Sequence, residues 1–214
     1  MKPVLGILVA LAVATAQAES PKAQPQRPQP LFNGKNLDGW KPAVENAYLN
    51  PGKAAVRDGV IQMPQGAIAT GVVYAKEFPK RDYEVTLEAR RTEGSDFFCG
   101  MTFPVSDQHC TLILGGWGGG TTGLSNVDGF SADENETTDF IEFENGRWYA
   151  VRLRVADGKI QAWVDKQQIV DLKTEDRKFN IWWEQEPLRP FGVGNWRCSS
   201  ELRKITLTRL NARP

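Results

Sequence analysis

The chain alternates like a β protein over most of its length. Tyr83, Val85, Leu87 and Ala89 fall on one side of an extended segment, and Glu84, Thr86, Glu88 and Arg90 fall on the other. This period of two marks a strand buried on one face. Tyr149, Val151, Leu153 and Val155 repeat the pattern, with Arg152 and Arg154 outward. Asp157-Gly158 then predicts a tight hairpin, and Ile160, Ala162 and Val164 predict the returning strand. Residues 55–62 read as a short strand broken by a turn at Asp58-Gly59. Residues 165–168 read as a second turn leading to Ile169-Val170. Residues 201–210 form a last strand, with Ile205 and Leu207 inward. No helical stripe of useful length interrupts them. Many short strands with Gly-, Asp- and Pro-rich turns predict an all-β domain, a sandwich or jelly roll. The rhythm fails over residues 115–136, which hold GGWGGG and then a stretch of Asp, Asn and Glu. Long irregular segments in compact domains tend to carry function.

The two ends of the chain set the domain limits. Lys2, an apolar run over residues 4–14 and Ala16-Gln17-Ala18 are the three parts of a signal peptide in order, with cleavage before Glu19. The expectation is an exported protein, secreted or periplasmic, with residues 1–18 removed. Residues 19–30 are rich in Pro and Gln and read as a tether. Residues 31–214 then form a single domain. No later stretch reaches the roughly 18 apolar residues of a membrane span, so no transmembrane anchor is expected after cleavage. Without Lys2 the chain has 25 Lys plus Arg against 26 Asp plus Glu, and no basic patch invites nucleic acid. His109 is the sole histidine, which rules out any site built on two histidines. Cys99, Cys110 and Cys198 are too few for a disulfide scaffold and fit no zinc spacing. Cys99 and Cys110 flank an expected hairpin around residues 104–107. Placing them opposite each other puts Phe97 opposite Leu112 and keeps one face apolar. A disulfide and a pair of buried thiols both stay open.

Four segments in order carry a resemblance: LFNGKNLDGW at residues 31–40, VRDGVI at 56–61, NGRWYAVRLRV at 145–155 and LRKITLTRL at 202–210. Together they resemble the 3-keto-disaccharide hydrolase domain family, which has a concanavalin A-like β-sandwich and is common among exported bacterial proteins. The resemblance spans about residues 31–210 and implies a glycoside hydrolase or lyase acting on 3-keto glycosides. In the first segment, Asn33-Gly34 and Asp38-Gly39 are turn dipeptides that would pin Phe32, Leu37 and Trp40 to the core. That segment marks the fold rather than the chemistry.

Sugar cleavage needs a general acid and a base or nucleophile, commonly two carboxyl groups facing one groove. Asp96, Asp128, Asp133, Glu134, Glu136 and Glu142 stand in irregular or strand-end positions. Asp96 precedes the apolar Phe97-Phe98-Cys99, where partial desolvation would raise its pKa. Asp96 and Glu136 are the expected catalytic pair, with His109, Asn135 or a bound cation to hold an enolate. Trp117, set among glycines that cannot bury a ring, is expected to stack on sugar. Trp182, Trp183 and Trp196 are weaker versions of it, whereas Trp40, Trp148 and Trp163 read as core. Asn126, Asp128, Asp133, Asn135 and Glu136 offer oxygen ligands for calcium without an EF-hand spacing, so Asp128 could serve ligand or metal. The glycine run lacks the Lys-Ser/Thr of a phosphate loop. A non-catalytic, lectin-like carbohydrate-binding module is the alternative function, and an adhesive or structural domain a third. Facing carboxylates would favour the enzyme, and rings over a shallow groove without them would favour binding.

Overall fold

Extended chain dominates residues 27–210, the part of the protein described by this computed structural model. The expected signal peptide and most of the tether lie outside the described residues. The strands in chain order are β1 (Gln29–Pro30), β2 (Trp40–Pro42), β3 (Ala55–Arg57), β4 (Val60–Met63), β5 (Ala69–Tyr74), β6 (Tyr83–Gly94), β7 (Cys99–Val105), β8 (Gln108–Gly116), β9 (Thr121–Ser125), β10 (Asp139–Phe140), β11 (Tyr149–Ala156), β12 (Lys159–Val164), β13 (Gln167–Lys173), β14 (Gly192–Trp196) and β15 (Cys198–Arg209). Two short 3-10 turns, Asn46–Tyr48 and Trp183–Leu188, are set between them.

The strands form two antiparallel sheets. One has eight strands in the order β13-β12-β11-β6-β15-β4-β3, with β1 pairing β15. The other has seven in the order β10-β9-β8-β7-β14-β5-β2. The fold is an all-β sandwich. Its core is the space between the sheets: Tyr83, Val85, Leu87, Tyr149, Val151 and Leu153 from the first meet Met101, Phe103, Leu112 and Leu114 from the second. Each such side chain contributes roughly 1.5–3 kcal/mol on burial. In β15, Leu202, Ile205 and Leu207 are all inward, although Leu202 and Ile205 are an odd number of residues apart. A register shift between Arg203 and Thr206, with Lys204 at φ +54, restores the phase. The first sequence segment behaves as its turns dictate. Gly39 takes φ +82, Phe32 and Trp40 are buried, and the Trp40 indole N–H donates to the Leu31 carbonyl at 2.9 Å.

Four local expectations need correction. Gln29 and Pro30 pair with Leu207 and Thr206, so the sandwich begins inside the expected tether. Residues 115–136 include the end of β8 and all of β9; both faces of that strand are covered, which hides its period. Trp148 and Trp163 lie on the outer face of the eight-stranded sheet, not in the core. Arg90 and Arg203 sit 4.5 and 4.0 Å from the Trp148 ring, and Arg152 sits 3.6 Å from Trp163. Finally, β7 and β8 join through only Ser106-Asp107, because Val105 pairs with Gln108. Phe103 therefore faces Cys110, and Cys99 faces Leu114. All three cysteines are buried free thiols. The tight turn sets the register and rules out the Cys99–Cys110 bridge.

Candidate active-site groove

The outer face of the seven-stranded sheet is built from small residues. Gly71, Gly194 and Gly100 are register neighbours across β5, β14 and β7. A methyl group on Gly71 would come within 2.8 Å of the Tyr48 ring, and one on Gly100 within 2.8 Å of the Phe97 ring. The missing side chains let two aromatic rings lie directly on the sheet. The next row runs Gly192, Thr102, Thr111 and Ser125. Thr102 and Thr111 share a hydroxyl hydrogen bond of 2.9 Å.

A groove of about 330 Å³ opens on this face, within the size range of small-ligand sites. Thr111, Ile113 and Ser125 form its floor. Phe97 and Trp196 line it as a stacked pair, with ring centres 5.9 Å apart and planes 29° apart. Trp117 lines it from the β8–β9 connection, half exposed at 49 %. That connection is held by a Gly119 N–H to Gly116 carbonyl bond of 3.1 Å, and Trp117 itself sits at φ +48. Gly119 lies against the Ser95 carbonyl, where a methyl group would come within 2.7 Å. The glycine run is thus packed on the segment that carries Asp96. Trp182, Glu184 and Gln185 complete the lining.

Asp96 and Glu184 are the two carboxylates of this lining. Partial burial pushes the Asp96 carboxyl above its usual range. A 2.7 Å hydrogen bond from the Phe97 N–H, and the charges of Arg197 and Arg91, offset only part of that effect. Arg91 is buried and bonds the Asn145 side chain at 2.5 Å, the Phe143 carbonyl at 2.7 Å and the Asp96 carbonyl at 3.2 Å. It therefore fixes the Asp96 backbone. Glu184 is in the turn Trp183–Leu188, and its Oε2 is buried with no hydrogen-bond partner among the described residues. This turn is docked by the Tyr48 hydroxyl, which donates to Gln185 Oε1 at 3.0 Å, and by Asn46, whose side-chain N–H donates to the Trp183 carbonyl at 2.5 Å. Burial raises the Tyr48 pKa, so the phenol stays a donor.

Of the residues singled out in sequence, Asp96, Trp117, Trp182 and Trp196 come together in the groove, and Trp183 does not line it. Glu136 does not line it. Glu136 pairs with Arg177, which also binds Asp128 at 2.7 Å, and Asp128 takes the Lys178 N–H at 2.8 Å. Asn135 is the hub of its own loop. It donates to the carbonyls of Leu124, Phe130 and Ser131 and accepts from the Thr137 N–H and hydroxyl. Asp133 accepts from Ser131, and Asn126 accepts from Ser125. The oxygen groups that offered themselves to calcium are thus engaged in hydrogen bonds and ion pairs within the protein. Among the described residues, no three His, Cys, Asp or Glu side chains converge as a metal site. His109 shares the outer face of β8 with Thr111 but does not line the groove. Its Nε2 is buried without a partner among the described residues, and burial, followed by the nearby Arg189 charge, pushes its pKa down to about 4. Sequence reasoning missed Glu184, Gln185, Thr111 and Ser125. The available signal was WWEQEP, a ring pair beside acids in a stretch with no strand period.

The fold recurs in solved structures. A glycosyl hydrolase-like protein from Parabacteroides distasonis ATCC 8503 aligns with a TM-score of 0.53 at 14 % identity, covering 85 % of this chain and 93 % of that one. The Crh5 transglycosylase in complex with NAG aligns with a TM-score of 0.58 at 10 % identity, covering 90 % and 89 %. A Bacillus subtilis protein of unknown function with a galectin-like fold gives 0.57 at 11 % identity, covering 90 % and 99 %. At these identities the likeness is one of fold. No curated protein matches the chain. The profile of the 3-keto-alpha-glucoside-1,2-lyase-like domain matches residues 27–208. The chain therefore belongs to the 3-keto-alpha-glucoside-1,2-lyase-like domain family.

Proposed function

We propose that this protein is exported, to the periplasm or beyond, and cleaves a 3-keto glycoside in the groove on its seven-stranded sheet. One observation carries the reading: an aromatic-lined groove that also holds a desolvated carboxyl, Asp96. Rings of the Trp117 type suit the apolar faces of a sugar, and the floor hydroxyls of Thr111 and Ser125 suit its polar rim. The family match and the glycosyl hydrolase-like and transglycosylase neighbours support a carbohydrate ligand.

A ketone at C3 makes the C2 proton acidic. Removal of that proton lets the bond from C1 to the glycosidic oxygen break by elimination, and water then adds across the new double bond. The step needs a base for the C2 proton and an acid for the departing oxygen. A carboxyl whose pKa is raised by burial is suited to the acid role, and Asp96 is that group. The four aromatic rings of the lining favour a second reading, a lectin-like module that binds without cleaving.

The two are separated by assaying wild type and Asp96→Asn on a 3-keto glycoside and its unoxidised parent. Cleavage of the keto sugar alone, lost by about 100-fold or more in the variant, supports the enzyme. Binding with no turnover of either sugar selects the module. Intact mass of the exported protein tests the leader: a chain beginning at Glu19 is expected, and one retaining residues 1–18 contradicts export by cleavage.

A further inference from the structure

We infer that Glu184 is the base of the groove, the group that takes the C2 proton while Asp96 serves the departing oxygen. The assignment rests on the glycoside-cleaving reading above and adds a residue to it. Its basis is hydrogen bonding. Buried polar side-chain atoms are nearly always paired, because an unpaired one loses its water without replacement. Among the described residues only His109 Nε2, Arg154 Nε and Glu184 Oε2 break this rule, and only Glu184 lines the groove.

Its neighbours show that the fold can pair a carboxylate when nothing else is asked of it. Glu186, on the same 3-10 turn, bonds Arg189 at 2.8 Å. Glu201 is held by Arg90 and Gln62, and Glu88 by Arg203 and Lys204. Among the described residues, none of the ion pairs supplies Glu184 with such a cation. The turn that carries it is nevertheless anchored firmly, by Tyr48 to Gln185 and by Asn46 to the Trp183 carbonyl. A carboxylate on an anchored turn, with one oxygen that has no partner among the described residues, in a groove whose other carboxyl is Asp96, is arranged to accept a hydrogen from a ligand.

The chemistry balances with these two groups and water. The Glu184 carboxylate forms a bond to the C2 proton. The C2–H electron pair becomes the C1–C2 double bond, the C1–oxygen bond breaks, and the departing oxygen keeps that pair and takes the Asp96 proton. Glu184 ends protonated and Asp96 ionised. Water then adds its oxygen to C1 and gives a proton to Asp96, while Glu184 returns its proton to C2. Both carboxyl groups are restored, and no oxidant or reductant is consumed.

The test uses methyl 3-keto-α-glucoside in D2O with wild type, Asp96→Asn and Glu184→Gln. Exchange at C2 and release of methanol are followed by NMR, and affinity and Tm are measured alongside. Wild type should do both. Asp96→Asn should keep C2 exchange and lose methanol release. Glu184→Gln should lose both by about 100-fold or more, bind the sugar within a few-fold of wild type, and melt no lower, since Oε2 has no protein bond to lose. Glu184→Gln with wild-type exchange and release overturns the assignment and leaves the glycoside reading standing. Glu184→Gln that melts well below wild type assigns Glu184 a structural role and also overturns it. A wild type that neither exchanges nor cleaves overturns the glycoside reading itself.

Discussion

Tyr48→Phe isolates the contact that docks one wall of the groove. The Tyr48 ring is fully buried over Gly71 and Gly194, and its hydroxyl donates to a Gln185 side chain that is only 4 % exposed. Phenylalanine keeps the ring and removes the donor, so no cavity of consequence forms. What changes is Gln185 Oε1, left buried without its partner. Such an unsatisfied acceptor costs about 1–3 kcal/mol. For a domain of this size that corresponds to a Tm loss of about 2–4 °C per kcal/mol. Urea unfolding followed by tryptophan fluorescence gives the free energy, and the cycle with Gln185→Met gives the coupling. With both partners made apolar, no orphan remains, and the double variant should be less damaged than the two single losses added together. Sugar affinity should also fall in Tyr48→Phe, because the loosened turn carries Trp182 and Glu184. A loss under about 0.5 kcal/mol with a strictly additive cycle would refute the docking argument.

Three further outcomes are expected. His109 has a folded pKa of about 4, below its ordinary 6.5, so the unfolded chain takes the proton first. Stability should therefore be full above about pH 6.5 and fall towards pH 4, by up to ~2 kcal/mol once solvent access to the ring is allowed for, and His109→Gln should flatten that window in pH-dependent unfolding. Thiol counting under denaturing, non-reducing conditions should find three free thiols, since Cys99 and Cys110 face Leu114 and Phe103 instead of each other; one thiol would contradict the hairpin register. Trp117→Ala should weaken sugar binding by about 1–3 kcal/mol by titration at a smaller cost in unfolding free energy, because the ring is half exposed.

The sequence shows most clearly what lies on sheets with one wet face. β6 and β11 alternate because their outer residues meet water as Glu, Thr and Arg, and both were readable strand by strand. β7 and the inner part of β8 are covered on both sides, so period two vanishes and register passes to a two-residue turn that propensity does not locate. Trp148 and Trp163 misled for a related reason. A ring flanked by arginines on an outer face has the same local pattern as a core ring. In the groove, Asp96 stood out because it directly precedes an apolar run, and Trp117 because it interrupts a glycine run. Glu136 has the right chemistry, but its fate is decided by Arg177. Glu184 was hidden because its setting depends on Tyr48 meeting Gln185 across 137 residues of chain. A contact at that separation leaves no trace in local composition.

A crystal structure of Asp96→Asn soaked with an unreacted 3-keto glycoside tests most directly whether the groove is the site of cleavage. The sugar should lie on the outer face of the seven-stranded sheet, stacked on Trp117 or Trp182, with its glycosidic oxygen within hydrogen-bond reach of residue 96 and its C2 facing Glu184. A sugar seated instead on the eight-stranded sheet at Trp148 or Trp163, or one in the groove with C2 turned away from both carboxyl positions, would contradict it.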